Sequence, residues 1–142
     1  MATWKQVTEE APELAALVEA AFRRAKHCTL ATTRADGSPR ISGTEVEIRD
    51  GELRIGSMPD AMKAKDLQRD PRFALHSSTS DPSEGGAWPG ESKVAGRAVE
   101  LPHEGSHLFR LDLTEVVHTR VVRDKLEIQS WHPERGVETR LR

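Results

Sequence analysis

The spacing of apolar residues changes period once along the chain. Between about Glu9 and Lys26, the residues Leu14, Leu17, Val18, Ala21 and Phe22 recur on one helical face. Pro12 suits a first turn, where its missing N–H costs nothing. This spacing predicts an amphipathic helix over about 9–26 that packs on a sheet. Residues 1–8, which hold Trp4, read as an extended lead-in. From Cys28 onward the period falls to two, the signature of half-buried strands: Cys28, Leu30 and Thr32 alternate with Thr29, Ala31 and Thr33.

Asp36-Gly37 and Asp50-Gly51 are hairpin signals, because both residue types tolerate the positive φ that tight turns need. They separate a strand ending near Thr33, a second over Ile41–Ile48 and a third over Leu53–Ser57, which predicts an antiparallel meander. The stretch from Leu53 to Ser77 then reads as strand, turn, short helix, strand. Asp60 is the expected N-cap of a helix over Ala61–Arg69, Asp70-Pro71 stops it, and Phe73 and Leu75 start the next strand. Residues 79–91 are rich in Ser, Pro and Gly and read as a loop that carries Trp88, with Gly85-Gly86 a simple loop doublet. Further strands are expected over Val94–Leu101, Leu108–Leu113, Val116–Val122 and Leu126–Trp131. Seven or eight short strands with two helices would leave exposed edges in an open sheet. A small closed antiparallel barrel, mainly β with helices, is therefore the predicted fold class (α+β), as a single domain over residues 1–142.

Composition narrows the function classes. The formal net charge of the 142 residues is −2, so no global basic bias points to nucleic acid or an anionic membrane. There is no Tyr and there are three Phe, which leaves little for base stacking. No apolar run reaches the ~18 residues of a membrane span, and the N-terminus lacks a basic-then-apolar signal pattern. With one cysteine, Cys28, no internal disulfide can form. These features predict a soluble cytoplasmic protein.

Candidate chemistry is sparse. His103 and His107 stand four apart, but no Cys or carboxylate completes a set with recognised metal spacing, so no metal site is assigned. Cys28 and His27 are neighbours on a strand and face opposite ways, which prevents a nucleophile–base pair; Cys28 reads as a buried thiol. Arg23, Arg24 and Lys26 suit the C-terminal end of a helix dipole without any ligand. Lys63 is different, because it lies one turn into a helix start, where free backbone N–H groups favour a phosphate.

The run from Leu30 to Ser77 resembles the pyridoxamine 5′-phosphate oxidase-like superfamily. The resemblance is carried by Asp36-Gly37 with Pro39, the strand ending at Ser57, then Lys63, Leu67 and Asp70-Pro71, with Trp131 and Arg135 of the closing segment as looser matches. It implies the antiparallel, FMN-binding split β-barrel and a homodimer that holds FMN, or the deazaflavin F420, in a cleft between subunits. Lys63 would neutralise the cofactor phosphate. Ser57, Met58 and Ser42 would line the ring system, with Trp88 or Trp131 stacking on it or capping it. Arg40, Arg54, Lys65 and Arg97 are the cations available to an F420 tail.

The chain departs from the family where a Ser/Thr-Arg-Lys triplet opens the short helix: here stand Ala61, Met62 and Lys63. One hydroxyl and one bidentate guanidinium are missing from the phosphate cradle. Ser42 and Glu47 replace the arginine and lysine expected on the second strand, and Glu47 would repel an anion. Pyridoxamine phosphate oxidation itself is thus disfavoured. The resemblance leaves three functions: a flavin- or deazaflavin-dependent oxidoreductase on an unknown small substrate, a non-catalytic cofactor-binding protein, or an interaction domain that kept the barrel and lost the cofactor. Lys63 favours the first two and the Ala61–Met62 pair the third.

Overall fold

The computed structural model of the chain describes residues 1–82 and 86–142. The elements follow in the order α1 (Trp4–Glu10), α2 (Pro12–Arg23), β1 (His27–Thr33), β2 (Pro39–Arg49), β3 (Glu52–Ser57), α3 (Met62–Arg69), β4 (Arg72–His76), β5 (Glu91–Leu101), β6 (His107–Val122), β7 (Lys125–His132) and β8 (Gly136–Leu141).

Among the described residues all strand pairings are antiparallel, in the order β3-β2-β1-β4-β5-β6-β7-β8. Pairing of β3 with β6 closes the first six into a barrel. Two strands change partner along their length. Residues 39–45 of β2 pair with β1, and residues 46–49 with β3. Residues 107–111 of β6 pair with β3, and residues 116–122 with β7. The chain is thus the α+β split barrel that the strand pattern and the resemblance predict.

Strand β6 is one strand of 16 residues, where the hydropathy pattern predicts two. The interruption at Thr114-Glu115 is a bulge: the register against β5 shifts between Ala95 and Gly96, and Thr114 Oγ1 donates to the Ala95 carbonyl at 3.2 Å. Gly96 is required there, because a Cβ would stand 1.8 Å from the Asp112 carbonyl oxygen. The tail beyond Trp131, which shows no alternation strong enough to assign, adds β8 through a turn with Glu134 at φ 77° and Gly136 at φ 71°.

The N-terminus corrects two expectations. Residues 1–8 are no extended lead-in: Thr3 Oγ1 accepts from Gln6 N at 3.2 Å and starts α1. Ala11, at φ −139°, breaks the helix, so α2 begins at Pro12 and ends at Arg23, not over 9–26. Ala2 exchanges two backbone hydrogen bonds with Leu113, which ties the lead-in to the barrel. Trp4, Val7, Leu14, Val18 and Phe22 join Leu30, Leu53, Ile55, Phe73, Leu75, Val94, Phe109, Leu111 and Leu113 in one core. Each such side chain removed from water contributes about 1.5–3 kcal/mol.

A third correction concerns α3. Asp60 does not cap it; Ala61 occupies the cap position and no side chain caps the helix, while Asp60 sits at φ 60° in the turn before it. Asp66 anchors α3 instead. Its carboxylate is 1% exposed and accepts from Thr32 Oγ1 on β1 (2.8 Å), Arg40 Nε on β2 (2.7 Å) and Arg69 on α3 (3.1 Å). Burial pushes its pKa up, but the bonds from Arg40, Thr32 and Arg69 outweigh it and hold the carboxyl below the usual range.

Candidate functional site

Where β2 leaves β1 for β3, a cleft of about 1120 Å³ opens on the barrel surface. Its walls come from five places in the chain: the β2 segment Gly43–Glu47, β3 with Met58 and Pro59, Lys63 on α3, the α2–β1 junction around Phe22 and His27, and Ser106 with Leu108 at the start of β6. Residues 41, 43, 45 and 47 of β2 share the outward face, as the alternating burial of the strand shows. Gly43 therefore leaves open space on that face, with nothing within 4 Å of where a Cβ would stand.

Lys63 reaches across from α3 and donates to the Gly43 carbonyl, Nζ to O 3.0 Å. It stands in the first turn of a helix whose leading N–H groups have no side-chain cap. Next to it in the wall, Thr44 is 4% exposed, and among the described residues nothing hydrogen-bonds its buried Oγ1.

The electrostatics are mixed but leave the Lys63 side chain accessible. Glu45 is drawn to Lys26 (3.6 Å) and His27 (3.3 Å), and Glu47 to Arg49 (3.0 Å). The repulsion expected of Glu47 is therefore moderated by its neighbour. Arg54 enters the wall with its charge shared by Glu52, whose hydrogen bond raises the guanidinium pKa further. Of the four cations considered for an F420 tail, Arg54 alone lines the cleft; Arg40 is bound to Asp66, and Arg97 lies on β5 opposite Arg72.

The structure distributes the residues selected from sequence as follows. Lys63, Ser57 and Met58 come together in the cleft wall. Ser42 pairs with Leu30 on the inward phase of β2, so Gly43 and Glu45 of the outward face form the wall in its place. Trp131 is 1% exposed and part of the core, so its ring is not free to cap a ligand. Trp88 is half-buried in the 79–91 loop, and its indole donates to the Ser80 carbonyl at 3.0 Å. Gly85 of the predicted loop doublet lies outside the described residues.

Arg23 and Lys26, which by sequence need only a helix dipole to explain them, belong to the wall, and so does His27. No local signal could have placed them, since barrel closure alone brings the α2–β1 junction beside β3. His103 and His107 are not on a helix: one lies in the β5–β6 turn and the other opens β6. Cys28 is buried, donates to the Thr44 carbonyl at 3.5 Å and has its thiol pKa pushed up to about 11 by burial, which keeps it protonated and inert.

Fold and cleft together define a split-barrel protein with a ligand-sized opening at the seam. The chain belongs to the pyridoxamine 5′-phosphate oxidase family, whose profile matches residues 14–130. No curated protein matches it. Among solved structures it is similar to PhzG from Burkholderia lata 383, in complex with tetrahydrophenazine-1-carboxylic acid (12% identity, 96% of this chain and 91% of that one, TM-score 0.68). A pyridoxamine 5′-phosphate oxidase-related, FMN-binding protein from Nostoc punctiforme PCC 73102 aligns at 12% identity over 93% of this chain and 95% of that one, with TM-score 0.66. The heme storage protein HutZ from Vibrio cholerae aligns at 16% over 73% and 89%, with TM-score 0.56. At these identities the likeness is one of fold.

Proposed function

We propose that this chain binds FMN in the cleft at the β2–β3 seam, as a homodimer, and serves as a flavin-dependent oxidoreductase for a small substrate other than pyridoxamine phosphate. The observation that carries the reading is the conjunction of Lys63, the uncapped start of α3 and the bare Gly43 backbone that Lys63 meets. These groups fit a phosphorylated, flat ligand: a cation and helix N–H groups for the phosphate, and a strand backbone that a ring can approach closely. Membership of a family with FMN-binding relatives supports FMN over F420, for which the cleft assembles no dense cationic mouth.

When bound, the flavin would supply the hydride and electron chemistry. This chain's residues would bind and orient it. Lys63 would give up the Gly43 carbonyl to hold the phosphate, the Gly43 backbone would let the ring system approach, and Ser57 and Met58 would line its side. No general acid or base of the protein is needed for hydride transfer itself.

The openness of the cleft supports a second subunit as its cover. Exposed apolar side chains, Met58 at 79%, Met62 at 53% and Ile41 at 74%, stand in or beside the segments that form its walls. The test is titration of the purified protein with FMN and with riboflavin, followed by fluorescence quenching, alongside light scattering for mass. Saturable FMN binding, one per subunit and tighter than riboflavin, on a dimer is the expected result. Absence of binding at about 50 μM, roughly −6 kcal/mol, would overturn it.

A further inference from the structure

The turn that delivers the chain into α3 is held from outside by one histidine. Asp60 lies there at φ 60°, a left-handed conformation that side chains disfavour and that persists where neighbours fix it. Its backbone N–H donates to Nε2 of His107 at 3.3 Å. His107 opens β6 directly opposite Ser57, the last residue of β3, and its side chain is 21% exposed. The ring stacks over the buried Phe109, with centroids 6.4 Å apart and planes at 22°. Its other nitrogen, Nδ1, lies 2.8 Å from Glu100 Oε2 on β5, and Gln68 Nε2 on α3 donates to Glu100 Oε1 at 2.9 Å. One imidazole therefore links β6 to the turn before α3 and, through Glu100, to the body of α3.

These partners specify the tautomer. The Asp60 N–H needs an acceptor, so Nε2 carries the lone pair and Nδ1 carries the proton that Glu100 accepts. A second proton on the ring would point a donor at a donor and break the bond to Asp60. The titratable groups on the elements packed against the ring are Glu100 on β5 and Asp60 in the turn; α3 offers the neutral Gln68 and β3 the neutral Ser57. Both carboxylates tolerate the charged ring, so protonation would cost the Asp60 contact without expelling the side chain.

We propose that His107 is the positioning residue of the α3 entry turn: neutral, it fixes Asp60 and with it the helix start that carries Lys63, and protonated, it lets the turn go. The consequence for ligand affinity rests on the reading of the cleft as an FMN site; the clamp itself does not.

The test uses His107→Gln, whose amide oxygen can accept from Asp60 without titrating, and His107→Phe, which keeps the stacking and removes the acceptor. Amide exchange at Asp60 in the ligand-free protein, corrected for intrinsic rates between about pH 8 and about pH 5, reads the clamp directly. In the wild type, protection should fall as the imidazole titrates. His107→Gln should keep it throughout, and His107→Phe should lack it at every pH and bind FMN about five- to tenfold more weakly. FMN's own phosphate titration is common to all three proteins and cancels in the comparison.

Wild-type protection that does not change with pH, or equal protection in His107→Phe, would overturn the proposal. So would a His107→Gln profile that follows the wild type, which decides the matter even if the Phe variant does not fold. If no variant binds FMN, the cofactor reading fails, while the Asp60 exchange still answers for the clamp.

Discussion

The Lys63 ammonium lies 3.0 Å from the Gly43 carbonyl, joining the first turn of α3 to the point where β2 parts from β1. The two residues are far apart in the chain and belong to different layers. What holds them in register is Asp66, one turn further along α3, whose buried carboxylate is bonded to β1 and β2. The cation at the cleft is thus placed by an anion in the core.

Replacing Lys63 with Ala should weaken FMN about ten- to a hundredfold, the worth of a charge-assisted contact of about 1.5–3 kcal/mol. Riboflavin, which lacks the phosphate, should be affected far less. Stability should hardly change, because the side chain is held by an exposed bond to one carbonyl. Parallel fluorescence titrations and thermal melts would check both.

Gly43 and Gly96 should respond oppositely to alanine. At Gly96 the new Cβ meets the Asp112 carbonyl at 1.8 Å, and the bulge must rearrange at a cost of about 3 kcal/mol or more. At Gly43 nothing lies within 4 Å, so the melting temperature should hold while the methyl group narrows the cleft and weakens FMN. Melts and titrations on the two variants separate scaffold from site.

Asp66→Asn should destabilise the fold by about 3 kcal/mol, since it leaves the part-buried Arg40 guanidinium without its counter-charge. The same carboxylate contributes to acid sensitivity. Its folded pKa lies below the unfolded one, so its stabilisation is complete above the unfolded value near 3.9 and is lost as pH falls through the folded value. Asp70, held at about 2 by Arg72, extends that window downward. Urea midpoints measured between about pH 5 and pH 2 should fall in the wild type and fall less in Asp66→Asn.

His118 predicts a second, higher pH window. It is 2% exposed, with Nδ1 2.6 Å from Ser92 Oγ, and burial followed by the charges of Arg120 and Arg24 lowers its pKa to about 4. The unfolded chain binds that proton near pH 6.5, the folded chain near 4. Stability is therefore level above about pH 6.5 and declines by about 3 kcal/mol as pH falls toward 4. In His118→Asn, whose amide can still meet Ser92, the denaturation midpoint should be lower at pH 7 but its slope across this window should vanish.

The period of apolar residues determined most of the barrel on its own. Alternation marks the inward face of each strand, and Asp-Gly pairs mark the hairpins, because those are local consequences of backbone geometry. The placement of Lys63 one turn into a short helix was legible for the same reason. Cooperative and long-range features were not. Thr3 starts a helix because Trp4 and Val7 find a core to enter, Asp60 leaves its capping role because the turn holds it at φ 60° and puts Ala61 at the cap position, and β6 runs through a bulge because β5 offers Gly96. Trp131 reads as a candidate for the cleft until the packed core buries it. The wall that Arg23, Lys26 and His27 share with Met58 exists only once β3 has paired with β6, since the chain brings these segments together through a closed sheet and not through any spacing written along it.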